Sequence, residues 1–186
     1  ASDNCDVYVT IIFNEVRVDG NCVDNYILER TWTATDNCGN NISSTQIITV
    51  QDTTDPELIG VPADVTIECD LVPTPAVPQA IDNCDDDVDI TFNEVKTDGN
   101  CTDNYILTRT WTATDNCGNT AVKVQVITVQ GTNAPNIYDI PASVTVECDA
   151  IPAVSTAPFA NDNCDDDVAI TFAEVRVDGS CEDSYT

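Results

Sequence analysis

The sequence predicts an all-β chain of tandem β-sandwich repeats, each about eighty residues long and fastened by disulfides. Three observations predict it. The first is self-similarity. Cys22–Asn40 reads CVDNYILERTWTATDNCGN and Cys101–Asn119 reads CTDNYILTRTWTATDNCGN, a step of 79 residues with differences only at Val23/Thr102 and Glu29/Thr108. The second is short stretches in which apolar and polar residues alternate, with turn residues between them and no sustained helical period. The third is ten cysteines in 186 residues without a single histidine or Cys-x-x-Cys pair, which points to disulfides rather than zinc.

The repeat fixes the domain boundaries. DNCDDDVDITFNEVKTDGNC from Asp82 returns as DNCDDDVAITFAEVRVDGSC from Asp162, one insertion before Cys164 making the step 80 there. Residues 56–134 form a complete unit, 1–55 the later part of one repeat and 135–186 the earlier part of another. Half a sandwich cannot bury its sheet faces. The two fragments could complete each other between neighbouring chains, but both carry the DNCD-to-DG-x-C segment, so joining them would duplicate a strand. The expectation is a window on a longer array. It agrees with the lack of an initiator Met, an export signal or a membrane-spanning apolar run.

Within the unit, Asp64–Cys69 alternates, with Val65, Ile67 and Cys69 facing one way, and reads as a half-buried strand. Leu71–Gln79 holds three prolines and reads as an edge strand or extended loop. Val88–Val95 points Val88, Ile90 and Phe92 inward. Asn104–Thr114 is a long strand with Leu107, Trp111 and Ala113 on one face and Thr108, Thr110, Thr112 and Thr114 on the other. Asp115–Asn119, DNCGN, is a turn whose Asn and Gly tolerate positive φ. Ala121–Gln130 closes the unit. Arg30 and Arg109, beside Trp32 and Trp111, suit a cation–π or threonine-face role.

Pro56, Pro62, Val65–Ile67, Asp82-Asn83, Trp111–Asp115, Gly118-Asn119 and Thr128-Val129 follow the pattern of the hyalin repeat (HYR), which the unit resembles along its whole length. That resemblance implies an Ig-like sandwich and an association with adhesion. The version with four cysteines, with DNC before and after, is similar to repeats in giant surface adhesins of Bacteroidota. Where the family usually carries cysteines in its first and last strands, this sequence has Gly60 and Val122-Lys123, so its stapling differs.

Four cysteines allow three connectivities. In an Ig-like strand order Cys84 and Cys117 share one end of the unit, and Cys69 and Cys101 the other. A straight strand between Cys101 and Cys117 would separate them by roughly 35 Å, too far for a bridge. The expected pairs are Cys84–Cys117 and Cys69–Cys101, repeated as Cys5–Cys38 and Cys148–Cys181. Cys69–Cys84 with Cys101–Cys117 is the rival. The expected pairing leaves Cys22 and Cys164 without mates in this window.

Thirty-three acidic and six basic residues give a formal charge of -27. Such a surface repels nucleic acid and anionic lipid and attracts cations. Asp82, Asp85, Asp86, Asp87 and Asp115 crowd the turns at one end, Asp98 and Asp103 the loop at the other, and Asp52 and Asp55 the linker. Stacked repeats would bring these together, where Ca²⁺ with its oxygen ligands would relieve the repulsion; solvated acidic turns are the plainer reading. The joint at Gln130–Ala134 lacks both linker aspartates. Thr53, in Asp52-Thr53-Thr54, resembles an O-glycosylation acceptor; Asn41-Ile42-Ser43 and Asn100-Cys101-Thr102 fit the N-glycosylation sequon.

These features predict a structural segment of an extracellular fibre, stalk or filament on a bacterial surface, serving adhesion or matrix. Its partners are neighbouring repeats of the same long chain and other copies in a filament, with no nucleic acid and no membrane insertion. The alternative is an adhesin module whose loops bind glycans or partner proteins. An enzyme is disfavoured: histidine triads are impossible, and the carboxylate pairs recur in every turn.

Overall fold

The computed structural model describes residue 4 and residues 8–147 and 149–177. It is all-β, apart from a 3-10 turn at Cys69–Leu71. The strands are β1 (Thr10–Asp19), β2 (Tyr26–Thr35), β3 (Asn41–Val50), β4 (Glu57–Ile59), β5 (Val65–Ile67), β6 (Gln79–Ile81), β7 (Asp89–Asp98), β8 (Tyr105–Thr114), β9 (Thr120–Val129), β10 (Asn136–Tyr138) and β11 (Phe159–Asn161). They form sheets in the orders β1-β2-β3, β4-β6, β5-β9-β8-β7 and β10-β11. The repeat is visible in this list, since β1, β2 and β3 match β7, β8 and β9 in length and resemble them in sequence.

The chain divides into two compact units, Ala1–Ala63 with Pro75–Val95 and Arg109–Gln125, and Asp64–Thr74 with Lys96–Thr108 and Val126–Thr186. In the first, alternation along β8 buries Arg109, Trp111 and Ala113, with Asp115 buried just past its end, and leaves the threonines between them half-buried. Trp111 and Ala113 pack with Leu58 of β4, and Val61, Ala76, Ala80, Val88 and Ile90 close over them. The β4–β6 ribbon is thus the second layer of a small sandwich, tied down where Lys123 donates to the Leu58 carbonyl (2.6 Å) and Gln125 to the Ala63 carbonyl (3.0 Å). Phe92 meets the edge of this core, its ring 5.2 Å from Trp111, but stays exposed.

The sheet β1-β2-β3 shows what the second layer contributes. Its strands pair antiparallel in register, Trp32 opposite Phe13 and Ser44. Among the described residues no ribbon equivalent to β4–β6 covers it. Trp32 is therefore 39% exposed, while Trp111 at the same repeat position is 1% exposed.

In the second unit Leu107, Ile127 and Val129 form the core, with Ile67, Cys69, Val72 and Tyr105 against them. Strand β5 runs parallel to β9, Val65 opposite Ile127 and Ile67 opposite Val129. β5 is shorter than the alternation suggested, because the chain turns at Cys69–Leu71. The ribbon β10–β11 is held by a stacked Tyr138–Phe159 pair, ring centres 5.1 Å apart.

The arginines behave otherwise than expected. Arg109 pairs with Glu94 across the strands (2.6 Å) and Arg30 with Glu15 (2.6 Å). The cation–π contacts fall instead at Arg17 over Tyr26 (3.8 Å) and Lys96 over Tyr105 (4.3 Å), again one position in two copies. A carboxylate directly opposite on the neighbouring strand gives a charge-assisted bond, which a ring face cannot match.

Candidate functional site

Three small loops, each present in more than one copy, place the cysteines. The first is the DNCGN turn. Asp115 Oδ1 accepts from the amides of Cys117 (2.9 Å) and Asn119 (2.8 Å), Asn119 Nδ2 donates to Asp115 Oδ2 (2.7 Å), and Gly118 takes φ 93°. Asp36 holds Cys38 in the same way. Burial pushes the Asp115 carboxyl up, but the bonds from Asn119, Cys117 and Gly118 outweigh it and hold it below the usual range.

The second loop is DNCDDD. Asp82 Oδ1 accepts from the amides of Cys84 (2.9 Å) and Asp85 (3.1 Å), and Asp85 Oδ1 from that of Asp87 (2.9 Å). Asp162 and Asp165 repeat the pattern around Cys164. The third loop is Gly20–Asn25, where the Gly20 amide meets the Asn25 carbonyl at 2.8 Å. A Cβ at Gly20 would lie 2.6 Å from that oxygen, so only glycine fits. Asn25 Oδ1 accepts from the Asp52 amide (2.7 Å) and ties the loop to the linker; Asn104 Oδ1 does the same for Gly131 (2.9 Å).

In the first unit these loops converge. Cys22 bonds to Cys117, Cα atoms 5.1 Å apart, and Asn116 Nδ2 donates to Asp24 Oδ2 (2.9 Å) while its amide donates to Asp85 Oδ2 (2.8 Å). In the second unit Cys69 bonds to Cys164, Cα atoms 5.8 Å apart, and Asn163 bridges Asp70 and Asn133 (3.3 Å each). Thr132 donates to Glu68 beside it.

The expected pairs Cys84–Cys117 and Cys69–Cys101 are corrected by this arrangement. Cys117 and Cys69 take Cys22 and Cys164, the two cysteines that the expected pairing left without mates. Cys84, Cys101 and Cys38 are exposed thiols. The rival pairing fails with it. Each bridge instead joins a loop or strand end of one copy to a turn of the next, so the strand order within one copy does not decide the pairing. Each bridge closes 95 residues, worth about 4–5 kcal/mol in the chain-entropy model against ~3–4 for a bridge within a repeat. Cys5, Cys148 and Cys181 lie outside the described residues, and with them the pairs Cys5–Cys38 and Cys148–Cys181.

Beside the first bridge lies an acidic pocket. Asp52 is 5% exposed. Its Oδ1 accepts from the Thr54 amide (3.1 Å), but Oδ2 is buried without a hydrogen-bond partner, as is Oδ2 of Asp82. One oxygen of each and the Cys84 sulfur lie within 4.8 Å of one another. At such a distance two carboxylates repel by about 3 kcal/mol at an effective dielectric of 20. Desolvation, and then the charges of Asp52, Asp24, Asp82 and Asp115, push the Cys84 thiol up, so it stays protonated at neutral pH. Two carboxylate oxygens and one sulfur make a mixed donor set, the oxygens of the kind Ca²⁺ takes and the sulfur of the kind zinc takes.

Of the expected aspartates, Asp52, Asp82, Asp85 and Asp115 fall in this region. Asp55, Asp86 and Asp87 are exposed around it. Asp98, paired with Lys96 at 3.1 Å, and Asp103 belong to the second unit. Thr53 is exposed. Asp24 and Asn25 are not among the residues the sequence singles out, and Cys22 and Cys164 are expected without mates; the signal that finds all four is the repetition of each loop with one cysteine per loop.

Residues 58–129 match the family model of the HYR-like domain with 4 cysteines. This match, the all-β sandwich and the disulfides support an extracellular adhesion-type repeat module of Ig-like fold. No curated protein matches the chain. Among the described residues no helix is long and apolar enough to cross a membrane.

Proposed function

We propose that the chain is a load-bearing segment of an extracellular fibre, stalk or filament on a bacterial surface, serving adhesion or matrix and performing no catalysis. The observation that carries this reading is the reach of the bridges. Each spans 95 residues, further than the 79-residue step, so each joins one copy of the repeat to the next. A module acting alone gains nothing from bonds to its neighbour; an array under tension gains continuity. Neighbouring repeats of one long chain are the immediate partners, and other copies pack beside them in a filament. Ca²⁺ between Asp52 and Asp82 stiffens the joint.

Electron microscopy of native material tests the reading. Ordered, unbranched filaments or stalks are expected; dispersed single globules would sink it. Calorimetric titration tests the cation separately, with Ca²⁺ uptake and a raised melting temperature expected and silence eliminating it.

A further inference from the structure

The two bridges follow one rule when set against the repeat. Cys22 and Cys101 hold the same position in successive copies, as do Cys38 and Cys117, Cys69 and Cys148, and Cys84 and Cys164. Each bridge leaves one copy at a loop or strand end, Cys22 or Cys69, and enters the next copy at a turn, Cys117 or Cys164. The copy at 56–134 therefore has Cys117 bonded backward and Cys69 bonded forward. Its other two cysteines, Cys84 and Cys101, carry exposed thiols.

Each of those thiols is the counterpart of a bonded sulfur, Cys84 of Cys164 and Cys101 of Cys22. The local geometry is the same in bonded and unbonded copies. The Cys84 amide donates to Asp82 Oδ1 at 2.9 Å, and the Cys164 amide to Asp162 Oδ1 at 2.9 Å. The Gly99 amide meets the Asn104 carbonyl at 2.7 Å around Cys101, as Gly20 meets Asn25 at 2.8 Å around Cys22. Asn100 and Asn104 are joined side chain to side chain (3.0 Å), as are Asn21 and Asn25 (2.9 Å). Neither backbone needs to change to present its sulfur as the bonded copy does. Within the copy, Cys117 and Cys69 are already taken, so Cys84 and Cys101 have only each other as partners there.

We infer that Cys84 and Cys101 bond to further copies of this repeat, Cys84 to the Cys69-type cysteine of the copy before and Cys101 to the Cys117-type turn of the copy after. Every junction is then closed by two disulfides, one of each kind, and no copy bonds to itself. The inference rests on the array reading above. In a second molecule of this chain the matching turn is that of Cys38, exposed, unbonded and already shaped by Asp36. Each bond forms when two thiols give up two protons and two electrons to a disulfide oxidant such as oxidised glutathione, which leaves as two thiols.

Proteolysis of unreduced native material followed by mass spectrometry tests this. Four kinds of linked peptide are expected: Cys22–Cys117, Cys69–Cys164, Cys84 with a Cys69-type peptide, and Cys101 with a DNCGN-turn peptide. In protein carrying Cys101→Ser, one additional DNCGN-turn thiol becomes open to maleimide. If Cys84 and Cys101 are free, or joined to each other, while the first two bridges stand, the inference falls and the array reading survives. If those two bridges are missing as well, both fall. Unreduced species of one chain's mass place the bonded copies in one molecule; a ladder that collapses on reduction places them in separate molecules.

Discussion

Pulling the chain from its two ends reads the bridge pattern as a length. Take a variant with Cys5, Cys38, Cys84, Cys101, Cys148 and Cys181 replaced by Ser, so that only Cys22, Cys69, Cys117 and Cys164 remain. Without bridges the backbone from Cys22 to Cys164 runs 142 residues. With both bridges closed, the shortest covalent route crosses from Cys22 to Cys117 and then follows 47 residues to Cys164. Reduction therefore frees 95 residues, which at about 3.3–3.6 Å each lengthens the fully stretched molecule by about 310–340 Å. Optical tweezers on tethered single molecules, before and after a phosphine reductant, measure that difference directly. The same measurement on a variant keeping only Cys69, Cys84, Cys101 and Cys117 tests pairing within a repeat. Bridges Cys84–Cys117 and Cys69–Cys101 would shorten the Cys69–Cys117 route from 48 residues to 15 and release about 110–120 Å. The reasoning is refuted if the first variant shows no change on reduction, or if the second variant gains that length.

Trp111→Ala removes the centre of the first unit's core and should destabilise by about 3–5 kcal/mol in denaturant melts, whereas Trp32→Ala, at a position 39% exposed, should cost far less. Asp52→Asn keeps the shape of the side chain and removes one of the two facing charges. It should raise the melting temperature in a chelator and abolish the further rise that Ca²⁺ gives the parent protein. Gly99→Ala puts a methyl group 2.5 Å from the Asn104 carbonyl oxygen; the loop must shift, at about 1–3 kcal/mol, and thermal melting should show it. The Asp36 side chain is held below its usual value of 3.8 by the Asn40 side chain and loop amides, and Asp115 likewise despite its burial. A folded carboxyl that binds its proton less readily than the unfolded chain lends stability above that value and loses it as pH falls through the lower folded one. Acid unfolding should thus steepen below about pH 4, and Asp115→Asn should flatten that limb in a circular-dichroism titration.

Alternation made the long strands legible. Leu107, Trp111 and Ala113 share the buried face of β8, and the threonines take the other, because a period of two leaves no choice once one face is apolar. The β4–β6 ribbon was not legible. Three residues on either side of a proline-rich stretch carry too little periodicity, and they become strands only because Leu58 and Ala80 cover Trp111. The phase of β7 shows the same dependence. Ile170–Val177 resembles Ile90–Thr97 of β7 yet forms no strand among the described residues, since no described strand pairs with it. At the site, the crowding of acids could be read from composition, but not its selection. Asp52 and Asp82 meet because Asn25 ties the linker amide down, a contact 27 residues apart in the chain. The cysteine pairing was misjudged for a related reason: chain order within one repeat says nothing about which loop of the next copy arrives beside it.

The two bridges overlap, and that overlap makes the molecule tolerant of cleavage. Between the Cys22–Cys117 knot and the Cys69–Cys164 knot run three covalent routes, 47 residues from Cys22 to Cys69, 48 from Cys69 to Cys117 and 47 from Cys117 to Cys164. A protease that severs any one of them leaves the other two holding the ends together, and after a second cut on a different route the third still does. Outside a cell, where peptide bonds are under constant attack and nothing repairs them, such redundancy keeps a damaged strand in one piece.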